Sequence, residues 1–281
     1  MLAELAERDA AGETAAIYAE IRRLCGVPYV SSMQRHLATR PGWIEWVWAA
    51  LGPAFVSGRA QTAAWRATQR LDVPRLAPIA RDALRVWGID SGGETAIRAV
   101  CDSFIRVSPA NLMLSGLLRK LLRGERPSGP AGADTGWTPP PPLPALPALV
   151  DAAALPPAER GVLMSLGTTV EGQPFVPGLY RMLARWPGFL AHLATVLQPR
   201  LDDPATRAVC LGLADAIDAK VPAVFATLPP LPSSPPLPPP AEFAQVLAAL
   251  GAYRQTSPEM VVSSLLIRNA LPAPAAGVAA P

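Results

Sequence analysis

Residues 27–53 and 173–199 carry one pattern written twice. The first reads VPYVSSMQRHLATRPGWIEWVWAALGP and the second QPFVPGLYRMLARWPGFLAHLATVLQP, and no gap is needed to align them. Pro28, Tyr29, Val30, Leu37, Ala38, Pro41, Gly42, Trp43 and Leu51 face Pro174, Phe175, Val176, Leu183, Ala184, Pro187, Gly188, Phe189 and Leu197, each pair 146 positions apart. A duplicated unit whose apolar face is too wide to bury alone packs against its copy. The space between the halves is then the first place to look for a site.

The echo continues. Val73-Pro74 answers to Val221-Pro222, and Ser108-Pro109 before LMLSGLLRKLL answers to Ser257-Pro258 before VVSSLLIRNAL. The offset grows to 148 and then 149, as short loop insertions require. The repeats are placed at 10–123 and 158–270, each near the size of a single domain.

The period is helical. Ile17, Ile21 and Leu24 fall on one helix face, as do Ile97, Val100, Cys101, Phe104 and Ile105. Ser91 with Glu94 reads as a capping box. Ser108-Pro109, Ser257-Pro258 and Asp203-Pro204 each read as an N-cap followed by proline at the first helical position, with Ser57 the counterpart of Asp203. No run alternates with period two in β-branched residues. The expected class is all-α: two related helical repeats around a pseudo-twofold axis, joined by a Pro-rich linker. That linker is 124–157, which holds ten prolines including Pro139 to Pro142. It should run extended, with little buried area. A second Pro-rich stretch, 229–240, interrupts repeat two. The tail 271–281 is expected to be mobile.

The net charge is only +3 despite a pI near 9.0, and arginines are scattered among acids. A nucleic-acid binder concentrates positive charge on one face. The one basic run, 118–126, reads as a solvated helix end. Nucleic-acid partners are not expected. Cys25, Cys101 and Cys210 are isolated among apolar neighbours, which points to buried reduced thiols. The first 14 residues hold four acids and no apolar core, unlike a signal peptide. No apolar run reaches the ~18 residues of a membrane helix. A cytoplasmic protein without membrane contact is expected. His36 and His192 are the only histidines, and no acids cluster with them, so neither a metal nor another cofactor is expected. Ser31 and Ser32 can cap a helix or donate to a ligand. Trp43, Trp46 and Trp48 read as core, whereas the equivalent pair Tyr29 and Phe175 can wall a pocket between the halves.

Three stretches resemble the DehI-type, or group I, 2-haloacid dehalogenases: GETAAIYAEIRRLCGVPYVSSMQRHLATRPGWIEWVW at 12–48, SPANLMLSGLL at 108–118, and LYRMLARWPGFL at 179–190. The resemblance implies an all-α homodimer of two helical repeats with its site between them. It implies an aspartate that activates water to displace halide from C2 of a short acid, with inversion and without an ester intermediate. Counted back from Trp186, the place of that aspartate is Leu179, and no Asp or Glu occurs from Gly172 to Leu201. Leucine takes no proton from water, and a base must lie within hydrogen-bond reach. The family's site asparagine aligns with Ser108, with Asn111 one turn further on. Glu171 is the nearest possible substitute base; Asp102 and Glu13 read as surface acids. The expected lining of the site is Tyr29, Ser32, Ser108, Asn111, Phe175 and Tyr180, and its ligand a small carboxylic acid. Two functions fit: a hydrolase with a displaced base, or a non-catalytic member that binds a small apolar carboxylate or serves structurally.

Overall fold

The computed structural model of the chain describes residues 1–69, 71–130 and 136–274. Helices before the Pro-rich segment are α1 (Gly12–Cys25), α2 (Ser32–Leu37), α3 (Trp43–Val56), α4 (Arg59–Thr68), α5 (Arg81–Val86) and α6 (Ser91–Leu122). After it come α7 (Pro157–Ser165), α8 (Gly178–Leu183), α9 (Pro187–Asp202), α10 (Pro204–Asp218), α11 (Val221–Phe225) and α12 (Phe243–Ala270). The long helices α6 and α12 pack along each other at the centre. Around them α4 lies against α6 and α1 against α3, α10 lies against α12, α4 and α6, and α7 lies against α9. Among the described residues the protein is all-α apart from one antiparallel hairpin, β1 (Thr168–Val170) and β2 (Gln173–Phe175). Its two-residue turn, Glu171-Gly172, has positive φ at both positions (52° and 71°), the twist that suits a tight hairpin.

Two apolar clusters fill the interior, and each draws on both halves of the chain. One joins Trp43, Leu51 and Leu117 to Ile217, Leu250 and Val261. The other joins Leu84, Ile97 and Phe104 to Leu179, Leu183, Phe189 and Leu266. Cys25 and Cys101 are buried and Cys210 partly so. Burial pushes the Cys25 and Cys210 thiols up to about 12.

Several local expectations are corrected. Asp90, not Ser91, caps α6, through its carboxylate on the Gly93 amide at 2.7 Å; Glu94 instead pairs with Arg81 and Arg85. Ser108-Pro109 and Ser257-Pro258 do not start helices but lie inside α6 and α12. A proline there removes one ladder bond and bends the helix, which the packing between the two helices outweighs. Ser57 closes α3, and Gly58 precedes α4. Asp203 caps α10 as expected, 3.1 Å from the Thr206 amide. The tail is not free from Leu271: that residue is buried, and Arg81 and Arg98 donate to the carbonyls of Ala273 and Pro272. Residues 275–281 lie outside the described residues.

Of the linker, 131–135 lie outside the described residues; the rest runs without α-helix up to Pro157, but it is no loose tether. Leu143 donates to Gly26 O at 3.0 Å, Gly129 to Leu228 O at 2.8 Å, and Val150 to Arg181 O at 3.2 Å. The Trp137 indole lies over Gly58, in the space a β-carbon there would need. Trp137→Ala should therefore destabilise the protein by about 2 kcal/mol, roughly half the ~3–5 kcal/mol of a fully buried Trp→Ala change. A urea midpoint unchanged from the parent protein would show that the strap is dispensable.

Candidate ligand-binding site

Pro28 keeps the chain extended into Tyr29, and α2 begins two residues after Val30, with all six of its residues buried. On the other half, β2 ends at Phe175, and Val176-Pro177 leads into α8. These two entries meet the Ser-Pro bends of α6 and α12. A cavity of about 40 Å³ lies where all four come together. A water needs roughly 10–15 Å³ of such space, so the cavity admits a few atoms unless a wall moves.

Its apolar walls are Tyr29, Phe104, Phe175 and Met260. Tyr29 leans on Phe104, ring centres 5.5 Å apart, and Phe175 meets Tyr253 edge-on at 5.7 Å. The polar groups are Ser31, Ser32, Ser108, Asn111, Tyr253, Thr256 and Ser257. The structure thus brings together Tyr29, Ser32, Ser108, Asn111 and Phe175. Sequence reasoning missed Tyr253 and Thr256, just upstream of Ser257-Pro258. Reading that pair as a helix start put them outside the helix whose face they share.

The hydrogen-bond directions are set from behind the wall. Arg35 is 3% exposed, and its Nη2 donates to Tyr29 Oη at 3.4 Å and Ser32 Oγ at 3.3 Å. Both hydroxyls accept from a cation, so their own protons are left for another partner. Burial pushes the Tyr29 phenol up while Arg35 pulls it down; the net shift is upward, and the group stays a neutral donor. Ser31 donates to Gln34, and Gln34 Nε2 donates to Asn111 Oδ1 at 2.8 Å. What Asn111 can offer a ligand is its NH₂. Tyr253 Oη is buried with no partner among the described residues, a costly state that a ligand or water relieves. The cavity is rich in neutral donors with a cation one bond behind them. Among the described residues, no Asp or Glu lines it.

The acids and remaining positions fall elsewhere. Leu179 is fully buried in the second apolar cluster and does not line the cavity; its neighbours Pro177 and Gly178 do. A β-carbon at Gly178 would stand 2.5 Å from Tyr29 Oη. Tyr180 also faces the core, where its hydroxyl meets Ser263 Oγ at 3.1 Å. Glu171 does not reach the cavity. Its carboxylate takes both oxygens' bonds from Arg40 at 2.8 and 2.9 Å and another from Gln245 at 2.9 Å. His36 gives its Nδ1 proton to Ala3 O, and its Nε2 accepts from Arg40. Asp102 pairs with Arg268, and Glu13 is exposed on α1. His192 stacks on Trp87, ring centres 4.8 Å apart, and burial lowers its pKa.

A larger, open cleft of about 570 Å³ shares Tyr29 and Phe175 with the cavity. Its charged lining is Glu4, Glu7, Arg8, Arg35, Asp151 and Arg181. No helix among the described residues is long and apolar enough to cross a membrane.

No protein-family model matches the chain. A configuration-inverting 2-haloacid dehalogenase of Alcaligenes xylosoxydans xylosoxydans is 31% identical over 130 residues, 46% of this chain and 43% of that protein. The match thus spans less than half the length of that relative. Three solved structures share the fold across 96% of this chain. A D-2-haloacid dehalogenase with L-LA has a TM-score of 0.72 at 21% identity over 97% of its own length. A mutant with D-2-CPA gives 0.70 and a further mutant 0.73, both at 20% identity over 96% of their lengths. The resemblance read from the sequence to 2-haloacid dehalogenases is therefore present in both sequence and fold.

Proposed function

We propose that the cavity binds the carboxylate of a short 2-substituted acid, and that the chain does not hydrolyse haloacids by base-activated water. The observation that carries this reading is the lining itself: neutral hydroxyls and an amide around one small cavity, Arg35 behind two of them, and no carboxylate among the described residues. Donors placed this way recognise an anionic oxygen. A cavity without a base offers nothing to take the proton from an attacking water. The shared fold supports the ligand class, since neighbours of the same fold are known with L-LA and D-2-CPA. The duplicated architecture belongs to the same proposal. The matched helix order on either side of the linker and the gapless 27-residue alignment support it.

The test is titration calorimetry with propionate and 2-chloropropionate. The parent protein should bind both. Tyr253→Phe should weaken binding about tenfold, one hydrogen bond to a charged group being worth ~1.5 kcal/mol. Asn111→Asp should abolish it by setting a like charge against the ligand. Binding that ignores both substitutions would place the ligand elsewhere.

A further inference from the structure

Arg35 and Arg181 stand 146 positions apart, the same offset that pairs Tyr29 with Phe175. The two are an identity in the gapless alignment of the halves, Arg35 in SMQRHL and Arg181 in GLYRML. In the fold they converge on one atom. Arg35 Nη2 lies 2.9 Å and Arg181 Nη1 3.2 Å from the same oxygen, Glu4 Oε2. All three are well covered, with side chains 4%, 18% and 10% exposed. The Arg35 Nε is buried and has no partner among the described residues. Two guanidinium groups thus share one carboxylate oxygen, and Arg35 keeps one donor unused. They do so in the open cleft, beside Tyr29 and Phe175, which separate it from the inner cavity.

We propose that Arg35 and Arg181 form a carboxylate-binding subsite at the mouth of the cavity, and that Glu4 is its internal occupant, displaced when a free acid enters. The inference rests on the reading of the cavity as a small-carboxylate site, and it adds the route of entry. Only the Glu4 side chain needs to swing aside. The backbone around it is held independently, by Leu2 N to Pro174 O and Leu5 N to Arg35 O, both at 2.9 Å, and by Glu7 on the Val30 amide at 2.8 Å. A tethered competitor lowers the apparent affinity by the fraction of time it occupies the site. Arg35 then serves two ligand positions in turn, through Nη2 here and through the Tyr29 and Ser32 hydroxyls inside.

The experiment compares propionate binding to the parent protein, Glu4→Gln, and Glu4→Gln with Arg181→Met, by calorimetry and stopped-flow. Arg181 does not line the inner cavity, so it reports the outer subsite alone. Glu4→Gln should bind propionate at least about tenfold tighter than the parent, as removal of a mostly bound occupant requires. Adding Arg181→Met should reverse that gain and slow association, while circular dichroism stays unchanged. Equal affinity in the parent and Glu4→Gln overturns the subsite, and the inner-cavity reading then stands on the parent's own binding. A gain that survives Arg181→Met overturns it as well. Absence of binding in all three proteins removes the small-carboxylate reading and this inference with it.

Discussion

Leu179→Asp should unfold or nearly unfold the protein at neutral pH, and should confer no halide release. Leu179 is fully buried in an apolar cluster with Leu183, Phe189 and Leu266. An aspartate there loses the leucine's packing and has no cation within the cluster. Burying an unpaired charge is among the few changes that cost more than ~4 kcal/mol, and a whole domain has only about 5–15 kcal/mol to lose. Burial raises the pKa of such an aspartate in the folded state. The unfolded chain therefore holds fewer protons than the folded one at neutral pH, and the penalty grows as pH rises. It should shrink as pH falls toward the ordinary Asp range, about 4. The comparison is urea unfolding of Leu179→Asp and parent protein at pH 7 and pH 5, with the gap in stability smaller at pH 5. A stable Leu179→Asp variant that releases halide would mean that position 179 faces the ligand, against the placement described above.

The one-residue difference between Leu179 and Gly178 shows how far sequence counting reaches. Consecutive helical residues point about 100° apart, so a shift of one position in such a count separates cavity from core. The alignment of the halves located the right helix start. The helix phase, set by packing of α8 against α6 and α9, decides which side chain looks inward. Five expected lining residues, Tyr29, Ser32, Ser108, Asn111 and Phe175, meet in one cavity: Tyr29 and Phe175 just before α2 and α8, Ser32 at the start of α2, and Ser108 and Asn111 beside Pro109 in α6. The Ser-Pro bends themselves were legible as special positions but not as helix interiors. A cap and a mid-helix proline look alike locally, and the long contact between α6 and α12 chooses between them. Arg35 and Arg181 stand at equivalent positions of the two halves, yet nothing in the sequence marks them as partners of Glu4: a buried ion cluster formed by residues 31 and 146 positions apart leaves no local mark. The linker misled in another way. Prolines correctly announced extended chain, yet composition gives no sign that Trp137 and Leu143 pack against the helices.

Glu171 illustrates the same limit for charge. Its distance in sequence from Leu179 made it the nearest acid, but the tight Glu171-Gly172 turn and Arg40 fix its carboxylate away from the cavity. Its remaining role is to tie the hairpin to the turn after α2 and to α12, through Arg40 and Gln245.

The parent protein should release no halide from DL-2-chloropropionate above the uncatalysed background while still binding that acid. Loss of a positioned base alone removes ~10²–10⁴-fold in rate, and the cavity among the described residues has no acid to take its place. The decisive measurement is halide release by purified protein at saturating 2-chloropropionate, with binding of the same acid followed in parallel. Binding without halide release is the outcome this account predicts. Sustained release that persists in Glu171→Gln and Glu4→Gln would contradict it, since a water-activating group would then exist where the structure places none.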